Sequence, residues 1–248
     1  MINNEFKKNK IDISIVIPCY NEEQSQLHEQ IKRISGVLEK TRYSYEIILI
    51  NDGSEDNTLN IIKNICQNNK KYKLYSNDKN IGRGGAVSKG FRKSKGDIVG
   101  FIDIDLSTDP LYILSLVNKL ENGYDVAVAH RTYKLKFKLF VLNRWIISEA
   151  YKFLLKLFLG KDFGDTETGC KFFRREKIIP LLDKIKNQEW FWDTEIMVRA
   201  NLQGLRIVEI PTVFIRKNAY TRVKIIRDSW LHLINLIKLS IEIKTKKQ

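Results

Sequence analysis

Residues 13–20, ISIVIPCY, are apolar at nearly every position, and so are residues 45–52, YEIILIND, up to their last two. A run that is apolar on both faces predicts a strand buried inside a sheet. Between them Leu27, Ile31, Ile34, Val37 and Leu38 recur at helical spacing, which predicts a helix within 22–40. The alternation continues with a helix over 55–68, its Leu59, Ile62 and Ile65 turned inward, and a short strand over 72–77. A helix with a Gly-rich start follows over 82–95, then a strand over 97–105. Asp109 and Pro110 supply an N-cap and a first-turn residue for a helix to about residue 121, and 124–131 reads as another strand. Strands alternating with helices over short links predict an α/β fold, a mostly parallel central sheet flanked by helices.

The second half is patterned differently. Residues 137–159 read as a helix on which Arg144, Ser148, Lys152 and Lys156 recur every four residues as one polar stripe. Nearly every other position there is large and apolar, including Phe137, Phe140, Trp145, Ile146, Tyr151, Phe153 and Phe158. A face that wide must be buried in protein or in lipid. A core helix satisfies the pattern, but the basic stripe and the aromatic residues point to a helix lying in a membrane interface. Residues 228–248 repeat the theme, with a narrow polar strip of Asp228, His232, Asn235, Lys238 and Glu242 and a basic tail. The apolar part, about 16 residues, is short for a span and suits surface attachment. Residues 1–226 are therefore expected to form the main domain, and 227–248 an amphipathic membrane-associating helix with its tail. Residues 190–204 read as a helix whose Asp193 and Glu195 form an N-terminal charge pair below two tryptophans.

Composition narrows the partners. A chain of 248 residues with 43% hydrophobic content suits one large domain, or a domain with an appendage. Lys and Arg number 43 against 29 Asp and Glu, a net charge of +14. Such an excess calls for an anionic partner: nucleic acid, an acidic lipid surface or a phosphorylated substrate. No apolar run reaches about 18 residues, so no transmembrane helix is predicted. The start, MINNEFKKNKIDISIV, lacks the apolar core of a signal peptide. Cys19, Cys66 and Cys170 lie far apart without zinc-like spacing, which fits a reducing compartment.

Ligands of such sheets bind beyond the carboxyl ends of the strands. Polar residues gather at those ends: Pro18 to Glu22, Asn51 to Ser54, Asp103-Ile104-Asp105, and His130-Arg131. In extended backbone, residues two apart face the same side. Asp103 and Asp105 can then reach one hard cation, Mg²⁺ or Mn²⁺, that shares its shell with phosphate oxygens and water. The bland alternative is a pair of solvated loop carboxylates; the buried strand before them and the Asp-Pro helix start after them favour a site. Asp52 either caps the helix beginning near Glu55 or accepts hydrogen bonds from a base or ribose. The segment NIGRGGAVSKG, 80–90, brings backbone N–H groups and Arg83 to a helix start, a suitable place for phosphate. It lacks the GxGxxG spacing of a dinucleotide fingerprint and does not follow the first strand. His28, His130 and His232 show no catalytic arrangement.

Four segments, in order, carry a resemblance: SIVIPCYNE, EIILINDGSEDNT, NIGRGGAVSKGFRKSKGDIVGFIDIDLST and DTETGCKFFRRE. Together they resemble the GT-A-fold glycosyltransferases, and most of all the polyprenyl-phosphate (dolichyl-phosphate) hexosyltransferases, over roughly residues 13–230. The resemblance implies a GT-A, Rossmann-like fold. It implies that Pro18, Tyr20, Glu22 and Asp52 hold the base and ribose of a nucleotide sugar. Asp103 and Asp105, with Ile104 between them where the family usually has Ala, would bind Mg²⁺ or Mn²⁺ and the diphosphate, joined by Arg83. PTVFIRKNAYTRVK matches the family's late basic motif, and its Arg222 would fold over the donor diphosphate. Arg131, Arg144 and Ser148 match the positions at which the family holds the lipid phosphate. Asp193 and Glu195 would lie near the acceptor or sugar.

The reading that follows is a metal-dependent, inverting transfer of a hexose to a polyprenyl phosphate at the cytoplasmic face of a membrane, to which the enzyme is peripherally attached. DLST and DTETGCKFF most resemble the glucosyl members, which use UDP-glucose; the mannosyl members, which use GDP-mannose, come second. Rival readings are a transferase acting on a glycan or protein, with Asp193 or Glu195 as base, and a basic nucleic-acid-binding or membrane-scaffold module. Basic and aromatic residues concentrate on two amphipathic helices rather than a groove, which favours lipid over nucleic acid. A homo-oligomer is compatible with all of these.

Overall fold

The structure, a computed structural model, describes residues 10–132, 139–214 and 225–245, without the side chains of 139–147 and 225–226. Seven strands form one sheet: β1 (Ile13–Cys19), β2 (Tyr45–Asp52), β3 (Tyr72–Asn77), β4 (Ile98–Ile102), β5 (Val126–Thr132), β6 (Cys170–Arg174) and β7 (Ile207–Val213). Their spatial order is β3-β2-β1-β4-β6-β5-β7. All pairings are parallel except those of β6, which runs antiparallel to both β4 and β5. The sheet is thus the mostly parallel one that the sequence predicts, with β6 and β7 added from the second half.

Helices α1 (Leu27–Leu38), α2 (Thr58–Gln67) and α4 (Tyr112–Glu121) cover one face, where Ile15, Ile17, Ile47 and Leu49 meet Ile31, Ile62 and Leu116. Helices α3 (Arg83–Lys93), α6 (Arg175–Leu182) and α7 (Trp192–Leu202) cover the other, around Val16, Ile48, Ile50, Phe91 and Trp192. Alternate residues of β1 and β2 enter opposite layers, which is why both strands are apolar throughout. Two boundaries move inward. Helix α1 begins at Leu27 because Ser25 and Leu27 close turns on Glu22 and Ser25 ahead of it. Regular helix α4 begins at Tyr112, after a turn over Pro110 and Leu111 that is closed by Tyr112 N to Asp109 O and Ile113 N to Pro110 O, with Asp109 Oδ1 accepting the Leu111 N–H.

Helices α5 (Leu139–Leu159) and α8 (Ile225–Thr245) pack together beside α7. Their cluster holds Leu155, Phe163, Phe191, Val198, Leu236 and Leu239. Ser240 Oγ donates to the Phe158 carbonyl at 2.8 Å, and Glu242 meets Arg199 and Lys186. Helix α8 has 21 residues, about 31 Å. The sequence counts only its apolar part, about 16 residues, as short for a span, and among the described residues no helix is long and apolar enough to cross a membrane.

Candidate functional site

The sheet order turns outward in both directions from β1 and β4, so their carboxyl ends flank the topological switch point at which such folds bind ligands. The loop after β1 is stitched to the loop after β2. Asn21 N donates to Ser54 Oγ at 3.0 Å, Glu22 N to Thr58 Oγ1 at 2.7 Å, and Glu55 N to Asn21 Oδ1 at 2.9 Å. Pro18, Tyr20 and Glu22 are half-buried along this rim.

Asp52 is buried and faces inward. Its carboxylate accepts Asn77 Nδ2 at 2.7 Å, and the N–H groups of Ile81 and Gly82 at 3.0 Å each. It does not cap α2, where Asp56 takes the Thr58 N–H instead. Asp52 thereby ties the end of β2 to the glycine-rich start of α3. Gly53 beside it has φ +66°, and a Cβ there would lie 2.4 Å from the Lys79 carbonyl carbon, so the turn needs glycine.

The backbone leaves the β conformation at Asp103, against the extended course on which the sequence reading relied. A turn closes from Leu106 N to Asp103 O at 3.1 Å, with Leu106 at φ +47°. Asp103 stays half-buried, Asp105 is exposed, and Ile104 between them is 5% exposed and belongs to the core. Any contact of Ile104 with a donor must therefore be through its backbone. The turn is anchored by Asp103 N to Gly169 O at 2.9 Å. A Cβ on Gly169 would stand 2.0 Å from Asp103 Oδ2, so glycine is what lets the carboxylate lie there.

Arg83 opens α3, but its side chain turns to carboxylates. Nε and Nη2 meet Asp103 Oδ1 at 2.8 and 2.7 Å, and Nη1 meets Asp193 Oδ2 at 2.5 Å. Lys171, fully buried in β6, donates to Asp193 Oδ1 at 2.5 Å and to the Thr168 carbonyl at 2.6 Å. Burial pushes the Asp103 carboxyl up to about 6; Arg83 pulls against that, and Asp105 and Asp193 add to it. Burial lowers Lys171 below its usual range although Asp193 opposes the shift. Glu195, the other carboxylate of α7, binds Arg199 at 2.6 Å and the N–H groups of Lys186 and Asn187. It holds the loop before α7.

No group of three or more His, Cys, Asp or Glu suited to a metal occurs among the described residues. The fit of a divalent cation rests on Asp103 and Asp105. Hard carboxylate oxygens in a turn, one held half-buried by the Arg83 guanidinium, suit Mg²⁺ or Mn²⁺, which take one or two carboxylates and complete their shells with phosphate and water. Two buried side-chain atoms without partners among the described residues, Asn51 Oδ1 and Thr168 Oγ1, adjoin Asp52 and Gly169.

Arg131 ends β5 within a clasp. Its Nε and Nη2 bind Asp165 Oδ2 and Oδ1 at 2.8 and 2.7 Å, its N–H binds Oδ2 at 2.9 Å, and Glu167 lies 3.7 Å away. Burial opposes ionisation of Asp165, but the guanidinium outweighs it and holds the carboxyl below the usual range. Glu209 supports the clasp, accepting Asp165 N at 2.6 Å and lying 2.8 Å from His130 Nδ1. Glu167 also reaches His232 of α8 at 3.2 Å, whose ring packs by Tyr151 and Phe191. Ser148 is half-buried on α5; the side chain of Arg144 and all of Arg222 lie outside the described residues. The sequence reading missed Asp165, Glu167 and Lys171. A lysine inside the short apolar run CKFFR was the available signal, because a buried ammonium requires a partner.

Residues 14–182 match the family described as Glycosyl transferase family 2. Glycosyltransferase AglD of Haloferax volcanii is 33% identical over 221 residues, 88% of this chain and 35% of that protein. Dolichyl-phosphate beta-glucosyltransferase of Saccharomyces cerevisiae is 28% identical over 230 residues, 85% of this chain and 69% of that protein. The chain thus spans about a third of the haloarchaeal relative and about two thirds of the yeast one. Glucosyl-3-phosphoglycerate synthase of Mycobacterium tuberculosis, solved with Mn²⁺, UDP and phosphoglyceric acid, superposes with a TM-score of 0.68 at 20% identity, covering 94% of this chain and 78% of that one. Its complex with Mn²⁺, UDP-glucose and phosphoglyceric acid gives 0.69, covering 93% and 80%. At that identity the likeness speaks for the fold. Taken with the sheet order and the strand-end carboxylates, these matches make the chain a GT-A-fold member of glycosyl transferase family 2.

Proposed function

We propose that the chain transfers a hexose from a nucleotide sugar to the phosphate of a polyprenyl or dolichyl phosphate, with inversion and with Mg²⁺ or Mn²⁺ held by Asp103 and Asp105. UDP-glucose is the preferred donor and GDP-mannose the second choice. The observation that carries this reading is the carboxylate turn at the switch point, backed by two buried cations, in a family member similar to a dolichyl-phosphate beta-glucosyltransferase. The cation, when bound, offsets charge on the departing diphosphate. Pro18, Tyr20, Glu22 and Asp52 frame the base and ribose, with Asp52 acting through the loop it fixes. Arg222 closes over the diphosphate. Arg131, Arg144 and Ser148 form the acceptor arm, in which the Asp165 clasp orients Arg131.

A phosphate monoester is already ionised near neutral pH, so the nucleophile needs no general base. That agrees with the engagement of Asp193 by Arg83 and Lys171, and of Glu195 by Arg199. A hydroxyl acceptor on a glycan or protein would need such a base, which makes it the weaker reading. Exposed Trp230, Ile237 and Ile241 on α8 and Phe153 and Leu157 on α5 support peripheral attachment to an anionic membrane, assigned to its cytoplasmic face.

A panel of nucleotide sugars with a short polyprenyl phosphate in detergent tests the reading. Transfer from UDP-glucose is expected, lost on chelation and in Asp105→Asn. Transfer only from GDP-mannose would reverse the donor order, and turnover undiminished in Asp105→Asn would remove the metal assignment.

A further inference from the structure

Buried charges of alternating sign lead from the interior to the Asp103 turn. Lys171 stands in mid-strand with no exposed surface, where an ammonium persists only if paired. Its partner Asp193 divides its two oxygens, Oδ1 to Lys171 and Oδ2 to Arg83. Arg83 then presents its other edge, Nε and Nη2, to a single oxygen of Asp103. The Phe101 and Trp190 rings lie 5.0 and 5.4 Å from the guanidinium carbon and confine the group further. A pair needed only to neutralise Lys171 would stop at Asp193. Here the pair continues into a guanidinium held between two carboxylates and near two rings, so the rotamer of Asp103 depends on residues that do not touch it.

We propose that Asp193 and Lys171 are positioning residues that set how tightly the Asp103–Asp105 turn holds its divalent cation, acting through Arg83. The inference rests on the metal-dependent reading above. Without Asp193, Arg83 loses the contact opposite Asp103 and is no longer fixed from both sides. Without Lys171, Asp193 is left to Arg83 alone and draws it away from Asp103. Either change loosens a carboxylate whose orientation the cation requires.

The test measures Mn²⁺ binding to the full chain from the paramagnetic resonance signal of free Mn²⁺, with UDP and separately with GDP. Wild type, Asp193→Asn and the double variant Lys171→Met/Asp193→Asn are compared, with thermal unfolding alongside. Removing both members of a buried pair is far gentler on the fold than removing one, so the double variant decides if the single one does not fold. Both variants are expected to bind Mn²⁺ about tenfold to a hundredfold more weakly while unfolding cooperatively. In turnover the apparent KM for Mn²⁺ rises, and kcat at saturating Mn²⁺ changes less. Wild-type Mn²⁺ affinity in a folded variant would overturn the proposal and leave the metal-dependent reading intact. Failure of wild type to bind Mn²⁺ with either nucleotide would overturn both.

Discussion

In the proposed function Arg131 serves two ends that a single substitution cannot separate. Its side chain is 11% exposed and that of Asp165 is 4% exposed, so removing the guanidinium strands a buried carboxylate. Arg131→Ala is therefore expected to lower stability by about 3–5 kcal/mol, measured by urea unfolding, whatever it does to the acceptor. Arg144→Ala is the cleaner probe of the acceptor arm. Loss of one charge-assisted contact to an anion, about 1.5–3 kcal/mol, should cut transfer to a short soluble polyprenyl phosphate about tenfold to a hundredfold, with donor affinity unchanged. Unchanged kinetics in detergent would mean that Arg144 only faces lipid headgroups. The clasp also has a pH signature. Asp165 titrates below its ordinary 3.8 in the folded chain, so the unfolded chain takes up its proton first as pH falls. The stabilisation is complete above about 3.8 and lost as pH drops through the lower folded value. Acid unfolding of Asp165→Asn should accordingly be less steep below that point than in wild type.

At the scale of elements, the site depends on how closely α3 approaches α7. Gly84 makes that approach, since a Cβ there would stand 2.2 Å from Trp192 Cβ. Ser88, one turn on, accepts the Trp192 indole N–H at 2.8 Å. Gly84→Ala must push the helices apart and is expected to cost about 1–3 kcal/mol in denaturant unfolding. It should also weaken Mn²⁺ binding, because Arg83 precedes Gly84 and Asp193 follows Trp192. Gly36 on α1 has nothing within 4 Å of a Cβ, so Gly36→Ala is the control that should leave both measurements unaffected or raise stability slightly.

At the scale of the molecule, a net charge of +14 is combined with two helices that bury one side and leave apolar residues on another. Trp230, Ile237 and Ile241 recur at helical spacing on the outer side of α8, while Leu236 and Leu239 face the core. Their placement supports lipid as the second apolar partner. Trp230→Ser with Ile241→Ser should weaken binding to phosphatidylserine vesicles by about a hundredfold or more, because each side chain contributes about 1.5–3 kcal/mol when fully buried and the two losses add. Thermal unfolding should stay close to wild type, since neither residue is in the core. Vesicle binding equal to wild type would remove the membrane face from the proposal.

The order of strands and helices through β5 was determined by the sequence, because the hydrophobic period of each segment depends only on which of its faces are covered. The same local chemistry marked Asp52, Asp103 and Asp105 as polar ends of buried strands. Tertiary structure decided the rest. That β6 runs backward between β4 and β5 depends on a chain reversal that the five residues of CKFFR do not encode. Arg83 reads locally as a phosphate-facing residue at a helix start, yet it turns to Asp193, 110 positions away, because two carboxylates and two rings meet there only after folding. Periodicity reports whether a side chain is covered. Which charge covers it is settled by packing, since a buried ion takes whichever counter-ion the fold brings within reach.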